Sequence, residues 1–199
     1  MSIAHTHFIA GAGGAWQIDD IAPVRGAPLA MAPRLAVVEA NTTQGGHHTC
    51  AGWRLQGVAS NTRYATRREV HQLAAVQEDL GRPQATRAAL IPIRKSAAWW
   101  ALAQDERRSV IEQSHHIAIG LDYLPAVSRR LYHSRELGQP FDFLTWFEYA
   151  PADSDAFEDL VARLRKTAEW RYVEREVDVR LTKLASTAKH DWQKIRENP

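Results

Sequence analysis

Cysteine is almost absent from this chain: Cys50 stands alone among 199 residues. That excludes an internal disulfide and any CxxC metal or redox motif, and it suits a reduced, cytoplasmic setting. No apolar run approaches the roughly eighteen residues that a membrane span needs. The start, Met1-Ser2-Ile3-Ala4-His5, has no basic stretch ahead of an apolar one, so no secretory signal is expected. A dominant charge sign is lacking too, since 25 Lys and Arg against 23 Asp and Glu leave a net +2. With no basic block interleaved with aromatics, nucleic acid is not an expected partner. What remains is an ordinary globular composition, 45% hydrophobic and 24% charged, long enough for one domain or two small packed ones. Tryptophan is the exception, with seven, two of them adjacent at Trp99 and Trp100. Their ordinary role is core packing.

Hydrophobic periodicity organises the chain. Residues 1–32, rich in Gly and Ala, are expected to form an irregular arm or short hairpin anchored by Phe8, Ile9, Trp16 and Ile18. Arg34 to Asn41 looks like a strand, 42–50 a polar Gly-Gly loop, and 53–64 contains a second strand. The His47-His48 pair in the loop is better taken as solvated than as a metal site. Ala65 to Leu80 has helical character, with Thr66 as N-cap and Gly81 as terminator. Arg87 to Arg94 is β-like, although Pro92 assigns it to an edge or a bulge. Residues 102–120 have the period of one helix, with Val110, Ile111, Ser114, Ile117, Ala118 and Leu121 on one arc. Val127, Arg129 and Leu131 share one strand face; Phe141, Phe143, Thr145 and Phe147 share another. Residues 153–165 return to helical spacing, and 171–181 alternate again with Val173, Val177, Val179 and Leu181 inward. The order predicts an α+β fold of two ferredoxin-like halves. Its parts are an arm (1–32), a first half (33–96), a second half (97–181) and a polar tail (182–199).

Three residues carry a chemical suggestion. A lone helical histidine such as His116 is usually solvated or a satisfied core residue, but Gly120, one turn later, clears space where a planar ligand fits. His115 competes for the same role. Arg129, between inward Val127 and Leu131, is either an edge or ion-pair residue or a cation in a dry pocket beside Thr145 and Phe147. A buried guanidinium stays protonated and requires an anion. Glu169 taken alone is a surface carboxylate; only a histidine partner changes that.

From Leu80 onward the text LGRPQATRAALIPIRKSAAWW, DERRSVIEQSHHIAIG, YLPAVSRRLYHSRELGQPFDFLTWFEYAP and EWRYVEREVDVRL closely resembles the chlorite dismutase family. The earlier GVASNTRYATRREV resembles the family's strand-to-helix junction, and the compact first half resembles its short, dimeric branch, with a truncated first ferredoxin-like half. The resemblance implies a dimeric α/β barrel that binds one haem b per chain and converts chlorite to chloride and dioxygen. Through the motifs HxAIG, SRRLYHS and EWRY it implies that His116 ligates the iron, that Arg129 is the distal arginine holding transient hypochlorite, and that Glu169 bonds the histidine. Thr145 and Phe147 match distal residues, Trp99 and Trp100 match tryptophans beside the haem, and Asn61 and Tyr64 match neighbours of its propionates. A departure lies between Trp100 and His116, where the chain is slightly longer than in the long branch. The same scaffold also hosts coproheme decarboxylase-like and haem peroxidase activities, and a non-enzymatic haem-binding protein is the alternative from another class. Chlorite and small anions are the implied small-molecule partners.

Overall fold

The computed structural model describes residues 5–40, 52–59 and 65–185. Eight strands among them form a closed antiparallel barrel: β1 (His5–Gly11), β2 (Trp16–Arg25), β3 (Arg34–Ala40), β4 (Arg54–Ala59), β5 (Arg87–Lys95), β6 (Val127–His133), β7 (Phe143–Tyr149) and β8 (Val173–Lys183). Around the barrel they run β1-β3-β2-β8-β5-β7-β6-β4, with β4 closing on β1. The helices are α1 (Arg67–Val76), α2 (Ala97–Ala101), α3 (Gln104–Gln113), α4 (His116–Leu121) and α5 (Ser154–Arg165). A 3-10 turn, Ala168–Tyr172, leads into β8.

Alternation along the strands splits the apolar residues into two cores. Phe8, Leu35, Leu55, Leu90, Tyr132 and Trp146 fill the barrel interior. Ile91, Ile93, Val127 and Phe147 face outward from the second half and meet Phe157, Leu160, Val161 and Leu164 of α5. The two sets share the strands β5 to β8, so these bury both faces, as β5 does almost continuously.

Several expectations are corrected. Residues 5–25 are two barrel strands rather than an arm: Phe8, Ala10, Trp16, Ile18 and Ile21 all point into the interior. The abundant Ala and Gly hide that alternation. Between these strands Gly14 has φ +135°, and a Cβ there would lie 2.2 Å from the Leu35 carbonyl oxygen, so the turn demands glycine. The long helix over 102–120 is broken: His115 takes φ +51° and separates α3 from α4. Pro92 lies in a wall strand rather than at an edge, paired with Leu144 on β7, while the register with β8 passes from Leu90↔Val179 to Ile93↔Glu176 without pairing Pro92. The missing N–H is accommodated as a local gap in that ladder. Phe141 belongs to the interior core, apart from Phe143 and Phe147. Thr66 caps α1 as expected, in a capping box with Glu69, but the helix ends at Val76, ahead of Gly81. No helix among the described residues is long and apolar enough to cross a membrane.

Candidate functional site

A cavity of about 460 Å³ lies between the outer face of β5, β7 and β6 and the helices α1, α3, α4 and α5. Strand pairing builds its wall: Arg129 sits opposite Phe147 and Leu131 opposite Thr145, and all four line the cavity. Val70, Leu73 and Ala74 of α1 form the facing side. None of the α1 residues is buried, and Glu69 ties the helix to Arg108 of α3 at 3.0 Å.

The break at His115 turns His116 toward the cavity and leaves His115 itself exposed. His116 Nδ1 lies 2.7 Å from Glu169 Oε2. Glu169 is buried, at 6% exposure, and its other oxygen accepts a bond from Lys95 Nζ at 2.8 Å. Burial alone would raise the Glu169 pKa, but the neighbouring His116 and Lys95, by charge and by hydrogen bond, hold it well below the usual carboxylate range. An ionised carboxylate only accepts, so Nδ1 carries the proton of this bond, and the ring's other edge, with Nε2, is left for the cavity. Ser114 Oγ accepts from the Glu169 amide at 3.0 Å, which fixes the carboxylate to the end of α3.

Arg129 comes from the opposite wall. It makes no ion pair with a described residue, and burial pushes its pKa down to about 10, which still leaves it protonated at neutral pH. Its guanidinium rests against Gly120 of α4: a Cβ there would stand 1.9 Å from Nη1. The clearance at Gly120, expected as an open slot for a planar ligand, is therefore taken by Arg129.

Of the other expected residues, Thr145, Phe147 and Trp99 line the cavity, the last at 1% exposure. Trp100 does not. Its ring stacks on Phe143 outside the lining, with the Arg135 guanidinium 3.5 Å from its centroid. Asn61 and Tyr64 lie outside the described residues, as do His47 and His48. Sequence reasoning missed Lys95, Trp170 and Glu176, which also line the cavity. For Lys95 a signal was present, because strand alternation puts it on the face of Ile91 and Ile93. Lys95 Nζ also lies 4.6 Å from the Trp99 ring centroid and 5.4 Å from that of Trp170.

The chain as a whole is similar to known proteins of one family. The chlorite dismutase family profile matches residues 34–184. A solved dimeric chlorite dismutase from Nitrobacter winogradskyi is 56% identical, with a TM-score of 0.83 over 90% of this chain and 99% of that one. A mutant chlorite dismutase from Candidatus Nitrospira defluvii, crystallised with cyanide, shares the fold at 24% identity and a TM-score of 0.67, covering 92% of this chain and 91% of that one. The curated chlorite dismutase of Ideonella dechloratans is 39% identical over 85 residues, 43% of this chain, and the match spans 28% of that relative's length. The chain belongs to the chlorite dismutase family.

Proposed function

We propose that the protein is a haem b enzyme that converts chlorite to chloride and dioxygen. The observation that carries this reading is the 2.7 Å contact between His116 and a buried, ionised Glu169, in one cavity with an arginine that has no carboxylate partner among the described residues. The donor set fits haem: one imidazole with a free Nε2, a carboxylate behind it, and apolar walls from α1, β5 and β7. When bound, haem supplies the redox-active iron needed to break Cl–O bonds and form the O–O bond. His116 is the iron ligand, and Glu169, anchored by Lys95, keeps the proton on Nδ1 and raises the basicity of Nε2. Arg129 binds the chlorite anion and holds transient hypochlorite through charge-assisted bonds until the oxygen atoms are joined. Thr145, Phe147 and Leu131 exclude water around that cation, which strengthens its grip. No proton donor is required for this reaction.

Each half of the barrel follows the strand order of a ferredoxin-like unit, which supports the reading of two ferredoxin-like repeats. The Nitrobacter relative described as dimeric supports a homodimer here, and the single cysteine supports a cytoplasmic setting. The deciding experiment is oxygen release from chlorite by haem-loaded protein, followed with an oxygen electrode. Stoichiometric chloride and dioxygen are expected. A protein that binds haem but releases no oxygen would be left with decarboxylase-like, peroxidase or carrier roles.

A further inference from the structure

The hydrogen bond from His116 to Glu169 fixes the tautomer of the imidazole and the direction of one ring atom. It leaves the twist of the ring about its own long axis to whatever packs on its face. Trp170 packs there: the two ring centroids are 6.4 Å apart and the planes are 21° from parallel, within the range of an offset stack. The turn Ala168–Tyr172 thus supplies both the carboxylate that bonds His116 and the surface that orients it.

Trp170 is itself held. It is 8% exposed, and its Nε1 donates to Glu176 Oε2 at 2.7 Å. The other Glu176 oxygen accepts from Arg165 Nε at 2.7 Å, and Arg165 Nη2 reaches Asp178 Oδ2 at 2.9 Å. From the far side, Arg25 of β2 donates to the Trp170 carbonyl at 3.3 Å. Glu176 is only 1% exposed and stands on a barrel strand, in register with Ile93. A buried carboxylate loses several kcal/mol of solvation in a typical protein, and an apolar residue would fill this place in the core equally well. The reaction proposed above uses neither Glu176 nor Trp170.

We propose that Trp170, locked to β8 by Glu176 and Arg165, is a positioning residue that sets the plane of the His116 imidazole. This rests on the reading of His116 as the iron ligand. The ring plane decides how the imidazole orbitals meet those of the metal, so its loss spreads the orientations and lowers the symmetry at the iron. The rival account makes Arg165–Glu176–Asp178 a structural charge cluster that Trp170 merely touches.

The test compares haem-loaded Trp170→Leu, Trp170→Phe, Glu176→Leu and Glu176→Gln with the parent. It reads the ferric electron paramagnetic resonance spectrum, the iron–histidine stretch of the ferrous protein, and kcat and KM for chlorite. Trp170→Leu is expected to increase rhombicity, broaden the stretch, weaken haem affinity about tenfold and lower kcat while KM holds. Glu176→Leu and Trp170→Phe, which keep a ring but lose its anchor, are expected to shift the spectra in the same direction by less. Glu176→Gln keeps an acceptor for the indole and is expected to retain the parent spectra. Parent-like spectra in Trp170→Phe and Glu176→Leu overturn the proposal, and these two carry the decision if Trp170→Leu does not fold. The underlying reading is judged separately by His116→Ala, whose retention of a normal haem band would remove His116 as ligand whatever Trp170 does.

Discussion

The two halves of the barrel share a strand order and differ in what covers them. β1 to β4 lie as β4-β1-β3-β2, and β5 to β8 lie as β8-β5-β7-β6. In the first half, four residues (12–15) join β1 to β2. In the second, α2, α3 and α4 intervene between β5 and β6, and α5 between β7 and β8. The consequence is a second buried layer. β2 alternates buried and exposed residues at its start, as a strand with one wet face does, whereas β5 and β7 are buried on both faces. His116, Arg129, Thr145, Phe147 and Glu169 all stand in or beside that second layer. Closure of the barrel needs only strands; a site between sheet and helices needs both, and among the described residues α1 and the helices between β5 and β8 provide them.

Substitutions that separate the halves put this contrast at risk. The largest effect on the site is expected from His116→Ala, which removes the proposed iron ligand: haem titration should give no stable Soret band. A normal band in this variant, with the band lost in His115→Ala, would move the ligand to the neighbouring residue. Next is Arg129→Ala, which should keep fold and haem and begin decomposing chlorite but inactivate sooner. A charge-assisted hydrogen bond contributes ~1.5–3 kcal/mol, so about tenfold or more hypochlorite should escape per turnover, trapped by a chlorination probe such as monochlorodimedone. Parent-like turnover with nothing trapped would make Arg129 structural.

Glu169→Gln is expected to bind haem more weakly and to raise the ferric/ferrous midpoint, because a neutral acceptor leaves the imidazole less basic. It also predicts a pH signature. The folded Glu169 pKa lies below its ordinary value of 4.5, so its contribution to stability is complete above that value and is lost as the pH falls toward the depressed one. Acid unfolding monitored by tryptophan fluorescence should show a flatter pH dependence in Glu169→Gln, and an unchanged profile would count against the buried ion cluster. The smallest effect on the site is expected from the first half. Phe8→Ala, at a fully buried interior position, should cost about 3–5 kcal/mol of stability while leaving the Soret band and kcat per folded molecule unaltered. A shifted band would show that the interior core and the cavity are coupled through the barrel wall.

The second half was legible because its periods are clean and its chemistry is local. Alternation alone groups Arg129 with Val127 and Leu131, and Thr145 with Phe147, and the structure lays the two faces side by side, Arg129 opposite Phe147 and Leu131 opposite Thr145. His116 and Glu169 lie 53 positions apart, so only a family motif could join them in advance. β1 and β2 were hidden because small residues and Pro23 blur the alternation of a strand that is buried by closure rather than by its own apolar content. The break at His115 was invisible because apolar residues continue at helical spacing past it in the sequence, although the buried face shifts after it, to Ile119 with Ala118 exposed. Trp100 stands outside the lining for a simpler reason: adjacent residues on a helix point about 100° apart, so Trp99 faces the cavity while Trp100 stacks behind Phe143.

Closure of the barrel also governs how copies of this chain associate. Every strand among the described residues has a neighbour on each side, but the seams are uneven: β4 meets β6 only at Val58↔His133 and Ala59↔Tyr132, and β2 meets β3 only at Trp16↔Leu35 and Gln17↔Arg34, so strand addition is limited to what those short seams leave open. Along the continuously paired strands, such as β5 between β7 and β8, a partner copy meets side chains and loops rather than open backbone. In a dimer of this kind the midpoint of barrel melting depends on protein concentration as far as the interface adds to stability.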